Sequence, residues 1–207
     1  MMMQAQTVLE APPAEAGRLL LRRSTRCAHA SLEEAGLMAP LVCGVPDRDG
    51  VARAVAAQFR VYAAVEPALR AARPSALARH PGYRPRAPLA AADLARLGIA
   101  PPPAPRIGAP FRSDAAWWGW FYVVDGSSLG GAIIGRRLAT LAPDLPPLSF
   151  FDPYGADRGR VWGALRGRLD EAMADPEVRR EALAGARAAF ALFAEALGAD
   201  EARAAAS

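Results

Sequence analysis

The sequence predicts an all-α protein, and three observations carry that expectation. Runs that alternate apolar and polar residues, as a half-buried strand requires, are scarce. Stretches rich in alanine, leucine and arginine, with apolar residues at helical spacing, fill most of the length. Helix-start and helix-stop residues bracket several of them. The fullest case is Asp175-Pro176-Glu177, an N-cap, a proline at the first helical position and an early acid, with Gly198 as the stop. At 207 residues and 52% hydrophobic content, the chain can bury one core and is short for two ordinary domains. The expected layout is a flexible tail over 1–15, one domain over 16–198 and a tail over 199–207.

In order, a first helix is expected from about Ala16 to Leu37, with Leu20, Cys27, Ser31 and Met38 near one face. A second starts at Asp47 and covers VARAVAAQFRVYAAVEPALRAA, bending near Pro67, because an interior proline removes a backbone hydrogen bond. ARPSALARHPGYRPRAP is a connection, and a short helix around LAAADLARLG stops at Gly98. PPPAPRIGAP is a stiff loop. Ser113 is a good N-cap for a long helix that begins SDAAWWGWFYVV and ends before Pro143. LAPDLPPLSFFDPYG is loop, a helix spans about Arg158 to Ala174, and the last helix follows Asp175.

Composition excludes several chemistries. All 25 basic residues are arginine, so neither a lysine Schiff base nor a Walker-type phosphate loop is available. The arginines are scattered among 21 acids for a net charge of +4, which reads as a solvated surface and not as a nucleic-acid footprint. Cys27 and Cys43 match no zinc spacing and read as two reduced thiols. MMMQAQTVLEAPPAEAG lacks a basic start followed by an apolar core, so no secretory signal is expected. The expected location is the cytoplasm.

The informative stretch is YVVDGSSLGGAIIG, residues 122–135. Four glycines inside a helix cost about 1 kcal/mol each relative to alanine, so something should compensate. At 100° per residue Gly119, Gly126 and Gly130 fall within about 40° of one another, while Gly131 and Gly135 point elsewhere. Three readings compete. Gly126-Ser127-Ser128-Leu129-Gly130 satisfies the GxSxG nucleophile elbow, but both histidines, His29 and His80, precede the serine, whereas that fold places its triad histidine after it. A membrane helix over 115–135 would place Asp125 at its centre, where an acid is costly. The third reading is a surface that lets a flat ligand approach the backbone. His29, with Glu33 four residues on, supplies an opposing element, because a ligating histidine commonly has a carboxylate on its outer nitrogen. One histidine cannot hold a structural zinc, but it can be the sole protein ligand of a haem iron.

LLLRRSTRCAHASLEE (residues 19–34) and YVVDGSSLGG (122–131) resemble the two signature segments of haem oxygenases, particularly the bacterial, biliverdin-producing branch. The helix order fits from about Leu19 to Leu197. The resemblance implies a bundle in which haem b, both substrate and cofactor, is sandwiched between a proximal helix and a kinked, glycine-rich distal helix. It implies His29 as the iron ligand, with Glu33 near its outer nitrogen. Arg22, Arg166 and Tyr122 would lie on the propionate side, and Gly126, Gly130 and Gly131 would let the distal backbone close over the ring. The position taken by an aspartate in animal members is Ser127 here, and Asp125 points about 100° away from Gly126. Ser127, backbone carbonyls and water are then the expected proton relay.

The activity implied is oxidative opening of haem to biliverdin, carbon monoxide and iron. An external donor of the ferredoxin or flavin reductase type would supply electrons, and a bilin-binding photoreceptor is a candidate recipient of the product. A haem or bilin carrier of the same fold and a helical interaction protein are the alternatives. His80 reads as an exposed loop residue, and Trp117, Trp118 and Trp120 as core. Phe150-Phe151 and Tyr154-Gly155 resemble a bacterial-branch loop. Phe190 and Phe193 read as packing.

Overall fold

The computed structural model describes residues 16–34, 36–72, 82–105, 107 and 110–198. Those residues form eight α-helices and no strand: α1 (Gly17–Ser24), α2 (Arg26–Glu34), α3 (Ala39–Val42), α4 (Arg48–Ala71), α5 (Arg86–Arg96), α6 (Asp114–Leu141), α7 (Arg158–Ala172) and α8 (Pro176–Leu197). A single 3-10 turn, Gly155–Asp157, precedes α7. His80 and both terminal tails lie outside the described residues.

The start signals act as expected. Side-chain oxygens of Asp47, Ser113 and Asp175 accept from the amides of Gly50 at 2.6 Å, Ala116 at 3.1 Å and Glu177 at 2.8 Å. Gly198, at φ +69°, closes α8 in the left-handed region. Pro67 sits inside α4, and α6 runs unbroken through all its glycines. GxSxG therefore lies in mid-helix with no strand before it.

The long first helix is corrected. It breaks at Thr25, whose hydroxyl donates back to the Leu21 carbonyl at 2.7 Å while its backbone leaves helical geometry at φ −108°, ψ 4°. Its inner face is Gly17 and Leu21, and Cys27 is exposed.

The centre of the molecule is the contact of α6 with α8. A Cβ on Gly119 would collide with the Ala182 carbonyl, and one on Gly185 with the Ala116 carbonyl, so each helix uses a glycine to seat the other's backbone. Trp117 stacks on Phe121 at 4.5 Å and donates its indole N–H to the Leu69 carbonyl at 2.9 Å, tying α4 to this core. Trp118 and Trp120 are buried with it. Glu66 of α4 caps α5 from outside, accepting from the amides of Arg86 at 2.5 Å and Ala87 at 3.2 Å. No helix among the described residues is long and apolar enough to cross a membrane.

Candidate functional site

Helix α2 is unusual in burying none of its nine residues. It rests on α8 through one edge, with the His29 ring 6.1 Å from that of Phe190, and the His29 side chain is 57% exposed. His29 Nδ1 lies 3.2 Å from Glu33 Oε2. A proton on Nδ1 donated to that carboxylate leaves Nε2 with a free lone pair, the form an imidazole needs to bind a metal.

The turn between α1 and α2 lies against α6 where Thr25 stands beside the Tyr122 phenol. One helical turn further, α2 presents His29 and α6 presents Gly126. Both helices pack along α8. His29 packs on Phe190, and Tyr62, which bonds Ser127 of α6, packs on Phe193.

The glycines of α6 divide into two sets. Gly119 seats α8, and a Cβ on Gly131 would stand 2.5 Å from the Phe151 carbonyl oxygen. Gly131 therefore faces a loop and is corrected from a cofactor contact to a packing position, and the bare face shrinks to Gly126 and Gly130. A Cβ on Gly130 would meet nothing within 4 Å, and one on Gly126 would meet only the Trp162 ring at 3.3 Å. Ile133 continues this face, 61% exposed. About two turns of a mid-chain helix thus show a surface that, among the described residues, only the edge of Trp162 approaches.

Helix α1 lies antiparallel to α7. Gly17 packs on Met173 and Arg18 pairs with Asp170, while at the other end Tyr122 joins Thr25 to Trp162, whose ring lies 6.1 Å from its own. Arg22 is one turn beyond Arg18, and Arg166 one turn before Asp170. The same register therefore sets these two exposed arginines beside each other, and neither forms an ion pair among the described residues. Burial pushes the Tyr122 phenol pKa up, and the nearby Arg22 charge offsets part of that.

Ser127 does not share the open face. Its hydroxyl donates to the Val124 carbonyl at 2.8 Å and receives the Tyr62 hydroxyl at 2.6 Å and Arg86 Nη1 at 3.2 Å. Arg86 is only 2% exposed and lies between the rings of Phe150 (4.3 Å) and Tyr62 (5.0 Å). Its Nε finds no acceptor among the described residues. Asp125 is also buried and takes the Tyr154 hydroxyl at 2.6 Å. Desolvation pushes its pKa up to about 6, against the lowering effects of Tyr154 and Arg86. Tyr62, Tyr83, Glu66 and Arg86 thus flank the site unannounced by any local motif, because their partners are remote in the chain, whereas Tyr154 is marked only by a short loop resemblance.

The comparisons with known proteins identify the family. A model of the family described as Heme oxygenase matches residues 105–199. The heme oxygenase of Xanthomonas campestris is 34% identical over 116 residues, which are 54% of this chain and 66% of that protein. Heme oxygenase PigA of Pseudomonas aeruginosa is 36% identical over 159 residues, covering 72% of this chain and 77% of that protein. The chain belongs to the haem oxygenase family. Two solved structures share the fold of this haem oxygenase. The heme oxygenase of Neisseria meningitidis has a TM-score of 0.69 at 22% identity, over 89% of this chain and 94% of that one. That of Leptospira interrogans has a TM-score of 0.68 at 19% identity, over 88% and 98%. Membership makes this haem oxygenase an enzyme of a class that acts on haem. Among the described residues, Arg22 and Arg166 have no carboxylate partner and the α6 backbone is bare at Gly130.

Proposed function

We propose that this haem oxygenase binds haem b between α2 and the Gly126–Gly130 face of α6, and opens it to biliverdin, carbon monoxide and ferrous iron with dioxygen and an external reductant. One observation carries the reading. A helix with its histidine exposed and no residue fully buried follows the Thr25 turn that lies against Tyr122 of α6, one turn before Gly126, and Gly130 has nothing over it among the described residues. When bound, haem supplies both the iron that activates dioxygen and the ring that is cleaved.

The rest is the work of the chain's own groups. His29 Nε2 holds the iron, and Glu33 fixes the imidazole's tautomer through Nδ1. Arg22 and Arg166 receive the propionates, the guanidinium fork suiting a carboxylate, and Tyr122 stands beside Arg22. Gly126 and Gly130 allow the distal backbone to approach while leaving room for a small ligand and water. On the flank, Tyr62 and Arg86 donate to Ser127 Oγ, whose own proton goes to the Val124 carbonyl, so this trio braces α6 beside the open face. The exposed thiols of Cys27 and Cys43 suit a reducing cytosol, where a ferredoxin or flavin reductase would be the donor and a bilin-binding photoreceptor a recipient of the product.

Hemin titration tests the reading. Wild type should give a Soret shift that His29→Ala abolishes, and added reductant should yield bile pigment. No shift in wild type would overturn haem binding altogether. A shift without pigment under several reductants would leave a carrier.

A further inference from the structure

Behind α6, on the side away from Gly126 and Gly130, the chain from Ser149 to Tyr154 lies along the helix in the opposite direction. Phe151 meets α6 at Gly131, through its carbonyl, and at Gly135, where a Cβ would stand 3.4 Å from its own Cβ. Tyr154 meets α6 at Asp125 through its hydroxyl, at 2.6 Å. From Asp125 to Gly135 is about 15 Å of helix, so this is a support under three turns and not a single touch.

The segment is anchored from outside. Asp93 of α5 accepts from the Phe150 amide at 2.7 Å and the Ser149 hydroxyl at 3.1 Å. Arg84 Nη1 donates to the Pro153 carbonyl at 2.8 Å, and Asp152 pairs with Arg158 at 2.5 Å. Phe150, Phe151 and Tyr154 are buried, although the stretch has no helix or strand of its own. The charged groups that face Asp125 from other elements are Arg86 of α5 and, through its phenol, Tyr62 of α4.

Among the described residues, helix α6 therefore has nothing packed in front of it at Gly130 and a strap behind it. We propose that Asp125 and Tyr154 are a positioning pair: they fasten the Ser149–Tyr154 strap to α6 and thereby set where Gly126 and Gly130 stand over the substrate. The proposal rests on the haem reading above. Neither residue touches the open face, so both act through the helix. The bond joins a buried carboxylate to a phenol, which makes it one of the stronger links available to a loop. Three residues of strap span the same distance as two turns of helix, so loss of the Tyr154 contact frees the Asp125 end while Phe151 still holds Gly131.

Hydrogen exchange on the ligand-free chain tests this without haem. Tyr154→Phe should speed amide exchange across residues 126–135 by at least tenfold and leave α8 unchanged. Asp125→Asn, which still offers an acceptor, should speed it less. Unchanged exchange at 126–135, or an equal rise in α8, overturns the pair as a local fastening. Should Tyr154→Phe fail to fold, Asp125→Asn alone decides between exchange confined to 126–135 and a uniform rise. With hemin and reductant, Tyr154→Phe should keep the Soret band and alter the ratio of bilin isomers, and an unaltered ratio at full turnover overturns the positioning role. If wild type shows no Soret band, the haem reading fails by itself, and the exchange data still decide whether the strap is fastened here.

Discussion

Asp125 carries a testable consequence of burying an acid. Its pKa in the fold is about 6, above the ordinary value of 3.8, so the folded state holds the proton more tightly than the unfolded chain does. The stability this gives is complete below about pH 4 and is lost as pH rises through about 6. A shift of two units corresponds to roughly 3 kcal/mol. The difference in melting temperature between Asp125→Asn and wild type should therefore grow in favour of the variant from pH 4 to pH 7. A difference that stays constant across that range would contradict the burial argument. Residues of this kind were only partly legible in the sequence. His29 and Glu33 could be read because they are four apart on one helix. Tyr62 and Arg86 could not, because Ser127 lies 65 and 41 residues away from them and no local pattern marks those pairings.

Among the elements, α6 shows why a glycine count is ambiguous until its neighbours are known. Helical spacing put Gly119, Gly126 and Gly130 on one face, and that azimuth holds, but α8 crosses the first and leaves the last bare. Gly119→Val should cost about 3 kcal/mol or more, because the collision is with backbone and no rotamer relieves it. Calorimetry should register that as a fall of roughly 6–12 °C in Tm. Gly130→Val should leave Tm unchanged or slightly raised, since valine is a better helix former than glycine, while hemin no longer gives a Soret shift. If Gly130→Val binds hemin normally, the open face is not where the ligand lies. The break between α1 and α2 escaped prediction because a threonine that bonds back to its own helix looks, in sequence, like any other helical residue. The strap escaped for a different reason: a proline-rich stretch reads correctly as loop, yet composition does not say that the loop is core.

On the scale of the whole molecule, the all-α class, the order of helices and the single core followed from periodicity and caps, because those signals are local and repeated along the chain. Arrangement did not follow, since the register of α1 on α7 is set by Arg18 and Asp170, 152 residues apart. That register makes a further prediction. Arg22→Glu and Arg166→Glu should each weaken hemin binding about tenfold, given the roughly 1.5–3 kcal/mol of a charge-assisted hydrogen bond reduced by exposure. Titrations at low and high salt should show the loss shrinking as ionic strength rises. An affinity indifferent to both substitutions would remove these arginines from the site.

Helix α2 is held by one edge and has no fully buried residue, so on the haem reading the missing part of its packing is the molecule the enzyme destroys. Binding then tightens the fold, and cleavage replaces a rigid plane with a flexible open chain that fits the gap less well. Each turnover would return α2 to its loosely held state, and the catalyst would loosen its grip as a result of its own chemistry.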